Sequence, residues 1–273
     1  MSGRLWRLCK KGFVIGAAIL LFWTLCAVLG PAIAPYSAVK VDLDSELLYP
    51  SLTHPFGTDD LGRDVLSRVI VGARDIVTYS LCAAAFATFL GLCLGLLAGY
   101  FGRVIDGVLS RIGETIMSIP GLIFALLVVT ALGHSFFAIV FAIGFGDAWA
   151  VARTIKSVVI TLRYQDYVSM AQLRGESSLY IMFRELLPNA LGVVLVEFTT
   201  RIGLSAFALA SLAFLGLGVQ PPEPAWGLQI SAQYTQLMTG IWWPVLFPAL
   251  AIASFVIAIY LMVDALQDRG VGA

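Results

Sequence analysis

Charged side chains are scarce in this chain: Asp, Glu, Lys and Arg make up 12% of its 273 residues, against 59% for hydrophobic ones. The surface of a water-soluble domain must be largely polar, so this composition excludes a soluble globular enzyme. A lipid bilayer removes that constraint. Crossing it takes roughly 20 apolar residues per helix, which leaves room for about six helices and no large soluble domain.

Catalytic and metal-binding groups are equally sparse. The four cysteines (Cys9, Cys26, Cys82 and Cys93) form no C-x-x-C pair and stand apart from both histidines, which argues against a zinc site or a disulfide framework. We interpret them as small apolar packing residues, and the two histidines as solvated or turn residues. The phosphate-binding pattern G-x-x-x-x-G-K-[ST] is absent, so any ATP and Mg²⁺ are expected on another polypeptide.

Six apolar segments predict an all-α membrane protein with six spanning helices. They are Phe13–Ile33, Ile76–Tyr100, Ile112–Leu132, Ser135–Ala152, Asn189–Leu217 and Trp242–Leu261. Pro120 followed by Gly121 predicts a kink in the third span. In the second span, glycines at 91, 95 and 99 leave one helix face bare, so a neighbouring helix can approach closely.

Lysine and arginine are distributed unevenly between the two sides of the membrane. With a cytoplasmic N-terminus, twelve lie inside or at the inner boundary: Arg4, Arg7, Lys10, Lys11, Arg103, Arg111, Arg153, Lys156, Arg163, Arg174, Arg184 and Arg269. Four lie outside: Lys40, Arg63, Arg68 and Arg74. The positive-inside rule therefore predicts that both termini are cytoplasmic.

Two loops between the spans have the composition of ordered structure. The predicted external segment from His54 to Asp64 combines turn formers with paired charges, which indicates a folded cap. In the predicted cytoplasmic loop 153–188, Asp166 can cap a short helix that ends near Leu173. Gly175 can then turn the chain in a left-handed conformation, and Ser177 or Ser178 can cap a second helix that ends before Pro188. This pattern predicts a helix-turn-helix elbow that presses into another protein.

The elbow resembles the "EAA" motif of ABC-importer permeases, an E-A-A triplet followed by glycine and later by leucine-proline. The matching positions are Ser169, Met170 and Ala171 for the triplet, then Gly175 and Leu187-Pro188, with Asp166 and Tyr167 just before. Serine replaces the acid, methionine replaces the first alanine, and Glu185 replaces the usual apolar residue.

Two further stretches resemble the C-type permeases of dipeptide, oligopeptide and nickel importers. One runs from His54 to Arg68 and contains the residues Gly57, Asp59, Gly62, Arg63 and Asp64. The other runs from Leu212 to Gly227, with three prolines and a tryptophan near its end. The three similar stretches occur in the family's order along the chain.

The resemblance implies a type I ABC-importer permease bundle in the bacterial cytoplasmic membrane. Residues 1–75 would form the tail, first helix and external loop, residues 76–268 the five-helix permease domain with its coupling loop, and residues 269–273 a cytoplasmic tail. The implied partners are a second homologous permease, two ATPases that bind ATP and Mg²⁺, and an external substrate-binding protein. No nucleic acid is implied. The substrate could be a dipeptide, a longer peptide, a nickel complex or glutathione.

Three charges inside the predicted spans leave alternatives open. Glu197 and Arg201 are four residues apart, the favoured spacing for an ion pair, and either line the translocation pathway or neutralise each other against a neighbouring helix. Asp147, placed near the cytoplasmic end of the fourth span, is expected to pair with Arg153. A different class of protein, an ion- or proton-coupled carrier, could use the same charges, but it would leave the elbow unexplained.

Overall fold

The protein is a bundle of helices in a computed structural model that describes residues 3–270, with side chains for 12–267. Its helices are α1 Gly3–Ile33, α2 Val65–Phe101, α3 Arg103–Met117, α4 Gly121–Leu132, α5 Phe136–Arg163, α6 Asp166–Leu173, α7 Ser178–Phe214, α8 Trp226–Gln233 and α9 Trp243–Gly270. Five are long and apolar enough to cross a membrane, or six spans if α3 and α4 count as one. The predicted all-α class is confirmed.

The third span is broken rather than kinked. Helices α3 and α4 meet at 87°, with Pro120 in an extended conformation between them. Proline disfavours the helical conformation at the residue before it, so α3 ends at Met117 and a new helix begins at Gly121. The predicted position of the kink is confirmed, but the two helices meet at a sharper angle than a kink within one helix would give.

Helices α2 and α5 are among those that extend beyond their predicted spans. Helix α2 begins at Val65 instead of Ile76, because the Asp64 side chain accepts a hydrogen bond from the Ser67 amide and caps the helix there. Helix α5 continues past Ala152 to Arg163. The segment between α5 and α7 is therefore shorter than the predicted loop 153–188.

The bundle has two distinct ends, which we name from the segments that lie there. The cap end holds residues 36–64 and the start of α2, whereas the elbow end holds α6. Gly12 of α1 packs against Leu261 of α9, far from the cap, and Gly30 packs against Ile70 beside it. The start of α1 and the end of α9 therefore both lie at the elbow end. That this end faces the cytoplasm stays a prediction, and the side chains of Arg4, Arg7, Cys9, Lys10, Lys11 and Arg269 lie outside the described residues.

Helices α2 and α5 form the most extensive helix pair of the bundle. Their contact is close because Gly91, Gly95 and Gly99 face valine and isoleucine side chains of α5, as the glycine spacing predicts. A Cβ atom on Gly95 would lie 2.7 Å from the Ile155 Cβ atom. Beside this contact, a core at the elbow end gathers Leu96, Val151, Ile155, Val159, Val168, Ala171, Ile181, Met182 and Leu186. We call it the elbow core.

Replacing Gly95 by valine should push α2 and α5 apart, because the new side chain has no space beside Ile155. We expect a loss of about 1–3 kcal/mol in stability, measured as a lower melting temperature of the detergent-solubilised protein. The control is Gly107→Val in α3, where a Cβ atom would meet nothing within 4 Å. Equal melting temperatures for the two variants would contradict the close contact.

Candidate functional site

The elbow begins with the short helix α6. Gln165 occupies the position before the helix and makes no side-chain cap, so Asp166 lies in the first turn instead of capping it as predicted. A carboxylate there still interacts favourably with the helix dipole. After Leu173 the chain turns through Gly175, whose φ of +76° is the predicted left-handed conformation. The Ser177 hydroxyl then accepts a hydrogen bond from the Tyr180 amide at 3.2 Å and caps α7.

The prediction that the second elbow helix ends before Pro188 is wrong. Residues Ile181–Leu186 form a π-helical turn, and the Leu187 amide bonds to the Met182 carbonyl five residues back. Proline has no N–H group, and its ring clashes with the carbonyl four residues back in a regular α-helix. The wider turn lets the chain pass Pro188. The side-chain amide of Asn189 donates to the backbone carbonyl of Glu185 at 2.7 Å. Helix α7 therefore runs unbroken from the elbow through the bundle.

One face of the elbow is anchored to the bundle. Val168 and Ala171 are fully buried in the elbow core. The Tyr167 hydroxyl is also buried and has no hydrogen-bond partner among the described residues. Burial, and to a lesser degree the Glu185 carboxylate, raise the pKa of Tyr167. Ala171, the best match to the family triplet, thus points toward the bundle.

The opposite face of the elbow is apolar and exposed. Met170 and Leu173 of α6 are 55% and 82% exposed, and Leu179 and Phe183 of α7 are 65% and 51% exposed. Ser169 and Pro188 are exposed as well, and Leu187 is half-buried. We call Met170, Leu173, Leu179 and Phe183 the elbow face. Exposed apolar side chains at the end of a spanning bundle form a surface suited to a protein partner.

At the cap end, Asp59 is the centre of a buried charge cluster. Its carboxylate accepts backbone hydrogen bonds from Leu61 at 3.0 Å and Arg63 at 2.9 Å, and a side-chain bond from Arg63 Nε at 2.7 Å. The Arg68 Nε atom lies 3.6 Å away. Because Asp59 and Arg68 are each 3% exposed, removal of Asp59 would leave Arg68 as a buried charge without its carboxylate partner.

Asp64 connects the cap to the first turn of α2. Beyond capping the helix, its carboxylate accepts the Ser67 hydroxyl at 2.6 Å and lies 2.9 Å from His54 Nδ1. His54 is therefore a partner of Asp64. Of the two settings expected for it, solvated or in a turn, the structure has the turn, where the Gly57 amide donates to the His54 carbonyl at 2.8 Å. Gly57 and Gly62 both have positive φ, and a Cβ atom on Gly62 would lie 1.7 Å from the Asp42 carbonyl oxygen. The predicted motif residues thus form one ordered cap.

The cap also joins the two family-like stretches that are far apart in sequence. Trp226 Nε1 donates to the Val69 carbonyl at 2.8 Å, and the side-chain amide of Gln229 donates to the Arg68 carbonyl at 3.2 Å. Gln233 donates to the Asp60 carboxylate. The start of α8 is therefore held against the start of α2. Sequence reasoning did not predict this contact, because nothing in either stretch indicates its partner.

Asp147, Glu197 and Arg201 form a group of three charges. Arg201 bonds to the Glu197 carboxylate through Nε at 3.2 Å and its terminal nitrogen at 2.9 Å, as the spacing predicts. Its other terminal nitrogen lies 3.7 Å from Asp147. The predicted pairing of Asp147 with Arg153 is wrong, because six residues turn a helix through about 240° and separate the two side chains. Asp147 also lies near the middle of α5 and not near its end.

Asp147 lines a cavity of about 360 Å³ bounded by the α3–α4 bend, α5 and α7. Most of its lining is apolar or small, including Gly146, Ala150 and Phe207. Arg153 instead lines a separate cavity of about 190 Å³, between α2, α3 and α5. In that cavity it lies near Lys156, which pairs with Asp106 of α3.

Comparison with known proteins identifies the family to which this chain is similar. Residues 91–270 match the profile described as "Binding-protein-dependent transport system inner membrane component", and residues 5–50 match the "N-terminal TM domain of oligopeptide transport permease C". The matched regions together include the elbow, α7 and the charges of the spans.

Individual relatives are similar over nearly the whole chain. The dipeptide transport system permease protein DppC of Bacillus subtilis (strain 168) is 34% identical over 265 residues, covering 96% of this chain and 83% of the relative. A putative peptide transport system permease protein of Brucella suis biovar 1 is 35% identical over 259 residues, covering 95% and 87%. The glutathione transport system permease protein GsiD of Escherichia coli O6:K15:H31 is 37% identical over 257 residues, covering 92% and 83%. The chain therefore belongs to the family of binding-protein-dependent transport system inner membrane components, multi-pass permease subunits of the bacterial inner membrane.

Proposed function

We propose that the chain forms half of the translocation pathway of an ATP-driven importer for peptides. The observation that supports this most directly is the two-sided elbow, buried against the bundle through Ala171 and exposed to a partner through the elbow face. A rigid elbow of this kind can convert the movement of a docked protein into a tilt of the bundle between two discrete states.

The proposed partners follow from the two ends of the molecule. At the elbow end, one of two ATPase subunits would bind the elbow face and supply the ATP and Mg²⁺ sites that this chain lacks. At the cap end, a substrate-binding protein would deliver its ligand to the pathway. A second, homologous permease would complete the cavity that α4, α5 and α7 leave open.

The proposed substrate class rests on the relatives. Their names specify dipeptides, peptides and glutathione, which is itself a small peptide with a free ammonium group. The cavity beside Asp147 lies within the size range of small-molecule sites even before a second permease adds to it. Short peptides are therefore the substrates that we propose, ahead of nickel complexes.

A carrier driven by an ion gradient is the competing function, because Asp147 and Glu197 are acids within the spans. We disfavour it, since such a carrier would have no use for an exposed apolar elbow. The chain should be co-expressed with its ATPases, second permease and binding protein, and the complete transporter reconstituted in vesicles. Uptake of alanyl-alanine should require ATP and survive ionophores that collapse ion gradients. Uptake that follows the ion gradient without ATP would overturn the proposal.

The elbow face should be needed for coupling. Leu173→Asp places a charge on an 82%-exposed apolar position and should lower ATP-dependent uptake about tenfold or more, as loss of a hot-spot contact would. Leu173→Met, which keeps the apolar surface, should retain most of the uptake. Both variants should melt at the wild-type temperature, because Leu173 makes no part of the elbow core. Wild-type uptake by Leu173→Asp would exclude this face as the docking surface.

The turn at Gly175 gives a second test, this time of elbow geometry. A β-branched side chain at φ +76° is strained by about 1–2 kcal/mol, although no atom lies near enough to clash. Gly175→Val should therefore uncouple ATP hydrolysis from uptake. Gly175→Asn should stay close to wild type, since asparagine tolerates this conformation. The ratio of peptide transported to ATP hydrolysed is the quantity to measure, and equal ratios in both variants would argue against a rigid turn.

A further inference from the structure

The three charges within the spans do not balance. One guanidinium, that of Arg201, faces two carboxylates, those of Glu197 and Asp147. Glu197 takes two hydrogen bonds from Arg201, whereas Asp147 stands 3.7 Å from it. Among the described residues nothing donates a hydrogen bond to the Asp147 carboxylate. With all three groups ionised, the cluster has a net charge of −1, and that surplus lies on Asp147.

The surplus charge lies deep in the bundle. Asp147 is about 16 Å along α5 from Phe136 and about 24 Å from Arg163, at the rise of an α-helix. A charge at such a depth is costly, and it persists where it faces a partner or a water-filled cavity. Asp147 is 29% exposed, against 12% for Arg201 and 14% for Glu197.

The cavity gives the Asp147 carboxylate space for a ligand. Its lining beside Asp147 consists of Gly146, Ala150 and Ala142 of α5, with Ser211 and Phe207 opposite on α7. The Ser211 hydroxyl already donates to the Phe207 carbonyl at 2.9 Å. Asp147 carries the sole ionisable side chain among the described residues that line this cavity, so a cationic group that enters would meet one carboxylate there, 3.7 Å from the Arg201 guanidinium, which is not part of the lining.

We propose that Asp147 is a substrate-binding residue that receives the α-ammonium group of a peptide as it crosses the membrane. This inference rests on the proposed peptide-import function and adds the part of the substrate that is recognised. An ammonium group would neutralise the surplus negative charge and donate the hydrogen bonds that the Asp147 carboxylate lacks. Glu197 acts as a positioning residue, because its two hydrogen bonds hold Arg201 at a distance from Asp147.

The alternative is a purely structural role, in which the Asp147–Arg201 ion pair holds α5 against α7. Loss of a structural ion pair would lower the uptake of every substrate equally, whereas loss of an ammonium site would lower only the uptake of peptides with a free amino group. The test therefore compares alanyl-alanine with N-acetyl-alanyl-alanine, which lacks the cationic group. The reconstituted transporter with its binding protein is measured as wild type, Asp147→Asn and Asp147→Glu. The matched control is Asp264→Asn, an exposed acid on α9 away from the cavity.

Because the binding protein is the same in every assay, the ratio of variant to wild-type uptake measures the effect of the substitution on the permease alone. Asp147→Asn should lower alanyl-alanine uptake about tenfold, the loss of one charge-assisted hydrogen bond, and leave the acetylated peptide within about twofold. Asp147→Glu should restore most of the preference, and Asp264→Asn should not alter it. Equal losses for both peptides, or no loss for either, would overturn the ammonium site.

If the binding protein rejects the acetylated peptide, the same comparison is made by equilibrium dialysis of both peptides against the solubilised transporter without that protein. A wild-type preference for the free amine that disappears in Asp147→Asn supports the site, and an absent preference overturns it. Co-purification of the ATPases and wild-type ATP hydrolysis show that each variant has folded and assembled. Failure of the wild-type transporter to take up either peptide would instead overturn the proposed function.

Discussion

The close contact between α2 and α5 is the constraint on which the other features depend. Glycine at 91, 95 and 99 lets the two backbones approach, and without a hydrophobic effect inside the bilayer such packing is what holds spanning helices together. The start of α2 supports the cap, the end of α2 and of α5 supports the elbow core, and the middle of α5 presents Asp147. A shift along this contact would move the cap, the elbow and the cavity relative to one another.

The cap and the elbow solve different physical problems at the two ends. The buried charges of the cap find partners beside them: Asp59 bonds to Arg63, Asp64 bonds to Ser67, and Arg68 donates to the Ala38 carbonyl. The elbow is anchored on one side by Val168 and Ala171 and left apolar on the other. The first arrangement favours a fixed platform, whereas the second leaves an exposed apolar surface, the one to which we propose that an ATPase binds.

Much of this architecture could be predicted from local sequence patterns. Apolar runs located the spans, the glycine spacing located the α2–α5 contact, and the Gly175 and Ser177 signals located the turn and cap of the elbow. The errors arose where tertiary geometry overrides a local rule. Pro188 is a helix breaker by propensity, yet a π-helical turn carries the chain past it. Asp147 has a basic neighbour in sequence, yet its partner Arg201 comes from another helix. The contact of Trp226 with Val69 joins segments whose sequences reveal nothing about each other.

The uninterrupted course of α7 has a mechanical consequence. Phe183 at the elbow and Arg201 beside the cavity belong to one helix, about 27 Å apart at the rise of an α-helix. Because α7 is one continuous helix, a rigid-body tilt imposed at the elbow would also displace Arg201. In the proposed transporter, motion of a docked ATPase would therefore change the distance between Asp147 and Arg201. The negative charge that Asp147 offers to a passing ligand would then differ between the steps of the ATPase cycle.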